Sequence, residues 1–186
     1  MRTKNSEKKL NNKGFSLIEL IIVIALMIAL VAAVFASSSI LDSSYGKDAE
    51  SGIKSYVSMA RTKSMSVAAK KWYLKLTKED KEYVVKLCKV TDSETEPVQE
   101  ITSVIEERSI GNKVTVKFGT KDSKKVVDAS SELKMYFNSS TGKIEKVFMG
   151  NEEISMSDGI GYFEITCGTF NLTMKVFYNT GKCERE

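Results

Sequence analysis

Apolar and polar positions divide the chain into three stretches of different period. From Leu20 to Ala36 seventeen consecutive residues are apolar, LIIVIALMIALVAAVFA. Phe15, Leu17 and Ile18 extend the stretch to 22 positions, interrupted only by Ser16 and Glu19. About 20 apolar residues at ~1.5 Å rise cross the hydrocarbon core of a bilayer, so residues 15–36 predict a transmembrane helix. Beyond it the apolar positions thin to a stripe. Ile40, Leu41, Tyr45, Ala49, Ile53, Tyr56, Val57, Ala60, Val67 and Ala68 recur largely at three- and four-residue intervals among Ser, Lys, Asp and Glu. This predicts an amphipathic continuation over residues 37–69 whose stripe lies on a domain. Gly46 and Gly52 each cost about 1 kcal/mol inside a helix. A bend or break near either, or a looser linker over the Ser-rich 37–44, therefore competes with the continuous helix, which is the preferred reading.

After Ala69 the period becomes two. Trp72, Leu74 and Leu76 alternate with Tyr73, Lys75 and Thr77, and Tyr83, Val85 and Leu87 alternate with Val84, Lys86 and Cys88. The intervening Thr77-Lys78-Glu79-Asp80-Lys81 reads as a turn, so the two runs predict a hairpin. Further strands are predicted at 99–105, 113–118, 133–138, 143–149, 162–167 and 170–178. Ser139-Ser140-Thr141-Gly142 marks a hairpin turn between the third and fourth of these, and Asn179-Thr180-Gly181 closes the last. The predicted class is α+β: a long N-terminal helix packed on an antiparallel β-sheet or small β-sandwich, with residues 70–186 as a β-rich head.

Charge changes the picture at one place only. The formal charge is +4, but residues 1–14 carry Arg2, Lys4, Lys8, Lys9 and Lys13 against Glu7, also +4. Removing them leaves 28 − 5 = 23 basic and 24 − 1 = 23 acidic residues, so the remainder is neutral. The basic leader precedes the apolar run, and Asp42, Asp48 and Glu50 follow it. The positive-inside bias then places the N-terminus in the cytoplasm and the head outside. A secretory signal peptide fits poorly, since its apolar region is usually roughly 7–15 residues and is cut on the far side. An ordinary signal anchor is the stronger competitor.

Candidate chemistry is sparse. The chain has no histidine and three widely spaced cysteines, Cys88, Cys167 and Cys183. Histidine acid/base catalysis and Cys/His zinc sites are thereby excluded. There is no phosphate-binding glycine loop and no EF-hand-like loop. No enzyme, cofactor or metal is expected. Cys167 and Cys183 flank the final strand, and two readings stay open: an extracytoplasmic disulfide, worth about 3 kcal/mol for a loop of this size, or buried thiols. Between Arg61 and Lys89 nine basic residues meet three acidic ones, with Trp72, Tyr73 and Tyr83 among them. That is either a DNA-contacting face, lysines on phosphate and aromatics on bases, or the solvated face of a helix and hairpin. The latter is preferred, because residues 92–107 hold six acids and no base. Glu106-Glu107 and Glu152-Glu153 read as solvated charges.

Glu19 is the residue an ordinary anchor does not explain, since a carboxylate inside an apolar span costs several kcal/mol unless neutralised or paired. The string Lys13-Gly14-Phe15-Ser16-Leu17-Ile18-Glu19-Leu20 resembles the N-terminal signal of type IV prepilins and pseudopilins. The resemblance implies that residues 1–14 are removed by a prepilin peptidase between Gly14 and Phe15, that Phe15 is N-methylated, and that Glu19 serves assembly with other subunits in the cytoplasmic membrane. Tyr56-Val57-Ser58-Met59-Ala60-Arg61-Thr62-Lys63-Ser64, followed by a β-only remainder, is similar to the H-type minor pseudopilins. The resemblance thus implies a minor pilin or pseudopilin of a secretion, DNA-uptake or pilus machine. The competing function is a single-pass anchored extracellular binding domain with no filament role.

Overall fold

A computed structural model of the chain describes residues 16–66, 71–92, 100–155 and 158–186, with side chains left aside at 36–38, 91–92 and 100–101. The leader, Gly14, Phe15, the predicted helix end at 67–69 and most of the 92–97 loop lie outside the described residues. The chain divides into two compact units, with the boundary between Ser38 and Ser39.

The first unit contributes the beginning of helix α1 (Leu17–Ser66). From Leu17 to Phe35 every residue is exposed, on all faces of the helix. Leu17 is 76% exposed, Ile28 65% and Phe35 73%, and none of these residues is buried among the described residues. A helix that is apolar all round has no solvent face and requires an apolar surrounding.

In the second unit the remainder of α1 is amphipathic. Ala49, Ile53, Tyr56, Val57 and Ala60 form a buried stripe along one face. Near its end the hydroxyls of Ser64 and Ser66 donate to the carbonyls of Arg61 (2.7 Å) and Lys63 (3.0 Å). They satisfy carbonyls that a terminating helix leaves without amide partners. Eleven strands follow: β1 (Lys71–Glu79), β2 (Glu82–Asp92), β3 (Glu100–Gly111), β4 (Thr115–Gly119), β5 (Lys124–Val126), β6 (Leu133–Phe137), β7 (Ile144–Met149), β8 (Glu152–Glu153), β9 (Ile160–Cys167), β10 (Phe170–Phe177) and β11 (Lys182–Arg185). They make two antiparallel sheets, β3-β2-β1-β6-β7-β8 and β11-β10-β9-β4-β5. The expected α+β architecture is therefore present, in its two-sheet form.

Strand alternation builds the core. Trp72, Leu74 and Leu76 of β1, Tyr83, Val85 and Leu87 of β2, and Leu133, Met135 and Phe137 of β6 point to one cluster. Val116 and Phe118, Phe163 and Ile165, and Leu172, Met174 and Val176 enter the same cluster from the second sheet, as does the helical stripe. Phe118 and Phe163 meet at 4.7 Å between ring centroids, inclined at 56°, a favourable tilted aromatic pair.

Helix α1 passes through both Gly46 and Gly52, which settles the alternatives of a break or linker there. Each glycine marks a close approach. A Cβ on Gly46 would sit 2.2 Å from the Phe170 ring of β10, and one on Gly52 would sit 2.6 Å from Ile110 Cγ2 of β3. The helix thus contacts both sheets through positions where any side chain would hold them off. The predicted hairpins at β1–β2 and β6–β7 form in register, Tyr73 opposite Cys88 and Met135 opposite Val147. Strand β3 runs six residues past its predicted end at Ile105, through Glu106–Gly111, with register shifts against β2 at Leu87/Cys88 and Tyr83/Val84. Bulges of this kind erase a strict two-residue period. The short β5, β8 and β11 lie at or next to sheet edges with largely exposed, charged residues, and had no alternation to betray them.

Candidate functional site

The described chain begins at the residues the sequence singled out. Ser16 precedes α1, and its carbonyl accepts the first helical bond, from Leu20 N–H (3.1 Å). Its hydroxyl accepts from Ile18 N–H (3.3 Å), while Ser16 N–H donates to Glu19 Oε2 (2.8 Å). This is a variant of the capping box, in which the N-cap serine hydroxyl serves the second helical amide rather than the third while the third residue's carboxylate reaches back to the serine amide, so both satisfy groups that a starting helix leaves unpaired. Glu19 also places a negative charge at the positive end of the helix dipole. The sequence reading assigned Glu19 to partner chemistry alone and missed Ser16. The signal was present, since Ser-x-x-Glu before an apolar run is the capping-box pattern. Oε1 makes no bond among the described residues, so the cap uses one of the two carboxylate oxygens. Gly14 and Phe15 lie outside the described residues.

The remaining candidates fall in the second unit. Trp72, Tyr73 and Tyr83 are all buried, 5–6% exposed or less, so none presents a face on which a base could stack. Two of the lysines around them have carboxylate partners: Lys86 bridges Glu79 (2.7 Å) and Glu107 (3.2 Å), and Lys75 bridges Glu132 (2.5 Å). The DNA-contacting alternative loses its aromatic half. Glu107 and Glu152, the latter paired with Lys125 at 2.8 Å, act as ion-pair members. Among the described residues, no group of three or more Cys, Asp and Glu gathers as a metal site.

Cys88, Cys167 and Cys183 are free thiols. The register separates the two that were considered for a bridge. Cys167 lies opposite Phe170, whereas Cys183 lies opposite Val176, six residues further along β10 and on its other side. Six residues of strand span about 20 Å, and a disulfide requires Cα atoms within roughly 7 Å. The bridge is therefore incompatible with this sheet. Cys167 instead lies 3.8 Å from Asp42 Oδ1, whose other oxygen accepts from Thr169 N–H (3.4 Å). Burial, then the Asp42 charge, raises the Cys167 thiol pKa; burial pushes that of Cys183 up to about 12.

With this geometry in hand, one comparison decides the class of the N-terminus. Residues 9–35 carry the prokaryotic N-terminal methylation motif. This is the type IV prepilin-type signature, and it spans the end of the leader from residue 9, Gly14, Phe15, the N-cap and the exposed apolar helix to Phe35. No curated protein and no solved structure matches the chain. The methylation motif and the α+β architecture together support a pilin-like structural subunit. The motif ends at residue 35, before the segment 56–64 on which the H-type resemblance rests.

Proposed function

We propose that this protein is a minor pilin or pseudopilin: a structural subunit of a type IV filament-type machine that serves protein secretion, DNA uptake or pilus function. In this reading a prepilin peptidase cuts between Gly14 and Phe15 on the cytoplasmic side, and Phe15 is then N-methylated. Residues 15–36 anchor the subunit in the cytoplasmic membrane and later pack among the equivalent helices of other subunits, while residues 70–186 form the extracytoplasmic head. The observation that carries the reading is the coincidence of the methylation motif with a helix exposed and apolar on every face from Leu17 to Phe35. Such a helix serves equally in lipid and in a bundle of like helices, which lets one segment act before and after assembly.

The capping box supports a division of labour within Glu19. Cleavage after Gly14 leaves Ser16 N–H an ordinary peptide amide, so the cap survives processing. It also creates a charged amine at Phe15 in an apolar setting. A neighbouring subunit's Glu19 carboxylate would neutralise that amine, and losing one partner of such a buried pair costs about 3–5 kcal/mol. The test is the intact mass and N-terminal sequence of the protein co-expressed with a prepilin peptidase. The expected product starts at methylated Phe15, and Gly14→Ala blocks its formation. A full-length, unmodified N-terminus would instead establish the single-pass anchored binding domain.

A further inference from the structure

Apolar exposure does not stop where the predicted span does. About 20 helical residues cross the hydrocarbon core of a bilayer, and residues 17–36 supply them. Positions that follow remain apolar and uncovered: Ile40 is 70% exposed, Leu41 53% and Tyr45 37%. All three belong to the second unit, which begins at Ser39. The start of that unit therefore carries an apolar patch of its own.

Two connections from the sheets close on α1 at the same level. From the β3–β4 connection, Lys113 Nζ lies 4.9 Å from the centroid of the Tyr45 ring, a cation–π contact. From the β9–β10 turn, Thr169 N–H donates to Asp42 Oδ2 (3.4 Å). Gly168, in the left-handed region at φ +52°, lets that turn close: a Cβ there would strike the Asp42 carboxylate. Both connections thus end beside residues 42–45, where Asn112, Lys113, Gly168 and Thr169 are exposed.

Charge at this end of the unit is one-sided. The acids spend theirs internally, Asp42 on the Thr169 amide and Asp48 on Arg108 at 2.7 Å. Lys47 and Lys113 have no ion-pair partner among the described residues, Lys113 lying over the Tyr45 ring instead. Apolar side chains beside a span, an aromatic ring one turn on and then cations follow the order of a bilayer boundary: hydrocarbon, interface, headgroup. Taking residues 15–36 as the anchor proposed above, we infer that this end of the second unit is a lipid-docking surface. Ile40 and Leu41 enter the acyl boundary, Tyr45 lies among the headgroups, and Lys47 and Lys113 attract anionic phospholipid. A neighbouring protein is the rival occupant. Continuity with a helix that is apolar on every face favours lipid, because the patch begins where the span ends.

The test places one added tryptophan at a time in the full-length chain, reconstituted in vesicles with brominated acyl chains, whose bromine quenches at short range. Trp72, buried among core residues, supplies a constant background. Val31→Trp reports the span, and Leu41→Trp and Tyr45→Trp report the patch. Ile105→Trp is the distant control, on exposed β3 next to Glu106, whose charge is felt by Tyr56 three turns past Tyr45. Quenching should fall in the order Val31→Trp, Leu41→Trp, Tyr45→Trp, with Ile105→Trp unquenched. Exchanging some of the phosphatidylcholine for phosphatidylglycerol should favour the docked state roughly fivefold per lysine, read as stronger quenching of Tyr45→Trp. Lys113→Gln and Lys47→Gln should each remove one such increment; Lys47→Gln does so without touching the Tyr45 ring contact. If Val31→Trp is quenched while Leu41→Trp and Tyr45→Trp match Ile105→Trp, the inference is overturned with the anchor intact, and the patch belongs to a protein partner. Quenching at Tyr45→Trp that ignores lipid charge and both lysine variants refutes the headgroup contact. An unquenched Val31→Trp removes the anchor reading and the docking surface with it.

Discussion

Replacing Gly52 with alanine opposes two effects whose sizes differ enough to be told apart. Propensity alone favours alanine over glycine within a helix by about 1 kcal/mol, so a reading from sequence expects stabilisation. The structure places the new Cβ 2.6 Å from Ile110 Cγ2, with its next neighbours at 3.8 and 3.9 Å. One contact therefore carries the effect, and relieving it requires a displacement of about 1 Å. Ile110 is 1% exposed and β-branched, so its χ1 has little freedom to yield. Forcing an extra methyl group into such packing costs about 1–3 kcal/mol, and the net expectation runs from neutral to about 2 kcal/mol destabilised. Ile110→Ala removes the clashing atom at its own cost of about 2–5 kcal/mol. In that background Gly52→Ala should become neutral or stabilising, giving a coupling of about 1–3 kcal/mol in the double-mutant cycle. The assay is urea unfolding of the full chain in detergent, monitored by Trp72, the single tryptophan and a buried one. A gain of the full 1 kcal/mol from Gly52→Ala alone, or no coupling to Ile110, would refute the close-approach account.

Glu19→Gln separates the two roles argued for that side chain: glutamine still accepts from Ser16 N–H but carries no charge. If charge neutralisation drives assembly, Glu19→Gln and Glu19→Ala lose filament incorporation alike, with cleavage largely intact; a Gln variant that assembles normally would reduce Glu19 to a helix cap. Lys117, 2.7 Å from Glu164, and then Lys124 hold the Glu164 carboxyl below its usual pKa. This contribution is complete above the unfolded-state value of about 4.3 and fades as pH falls through the lower folded one, so Glu164→Gln should flatten the acid limb of the stability curve measured from pH 6 to 3. For the thiols, iodoacetamide labelling read by peptide mass spectrometry should modify Cys183 first and slowly, with Cys88 and Cys167 protected until denaturant is added. A Cys167–Cys183 crosslinked peptide in folded protein would contradict the strand register.

Patterns that a segment carries within itself were legible from the sequence. The apolar run before Phe35, the two hairpins and the Ala49–Ala60 stripe each follow from period and turn chemistry, because the residues that define them are neighbours along the chain. The N-terminal motif was legible for the same reason, although the capping role of Ser16 was overlooked in plain view. Tertiary structure decided what depends on residues distant in sequence. Gly46 and Gly52 looked like weak points until Phe170 and Ile110, from two different sheets, were seen to occupy the space beside them. Cys167 and Cys183 looked pairable across a sixteen-residue separation, but the antiparallel register sets them at opposite ends of β10. Trp72, Tyr73 and Tyr83 suggested a stacking surface until packing buried them. Periodicity records which face of an element is buried; only the assembled sheets determine what lies against that face, since contact distance is set by strand register rather than by separation along the chain.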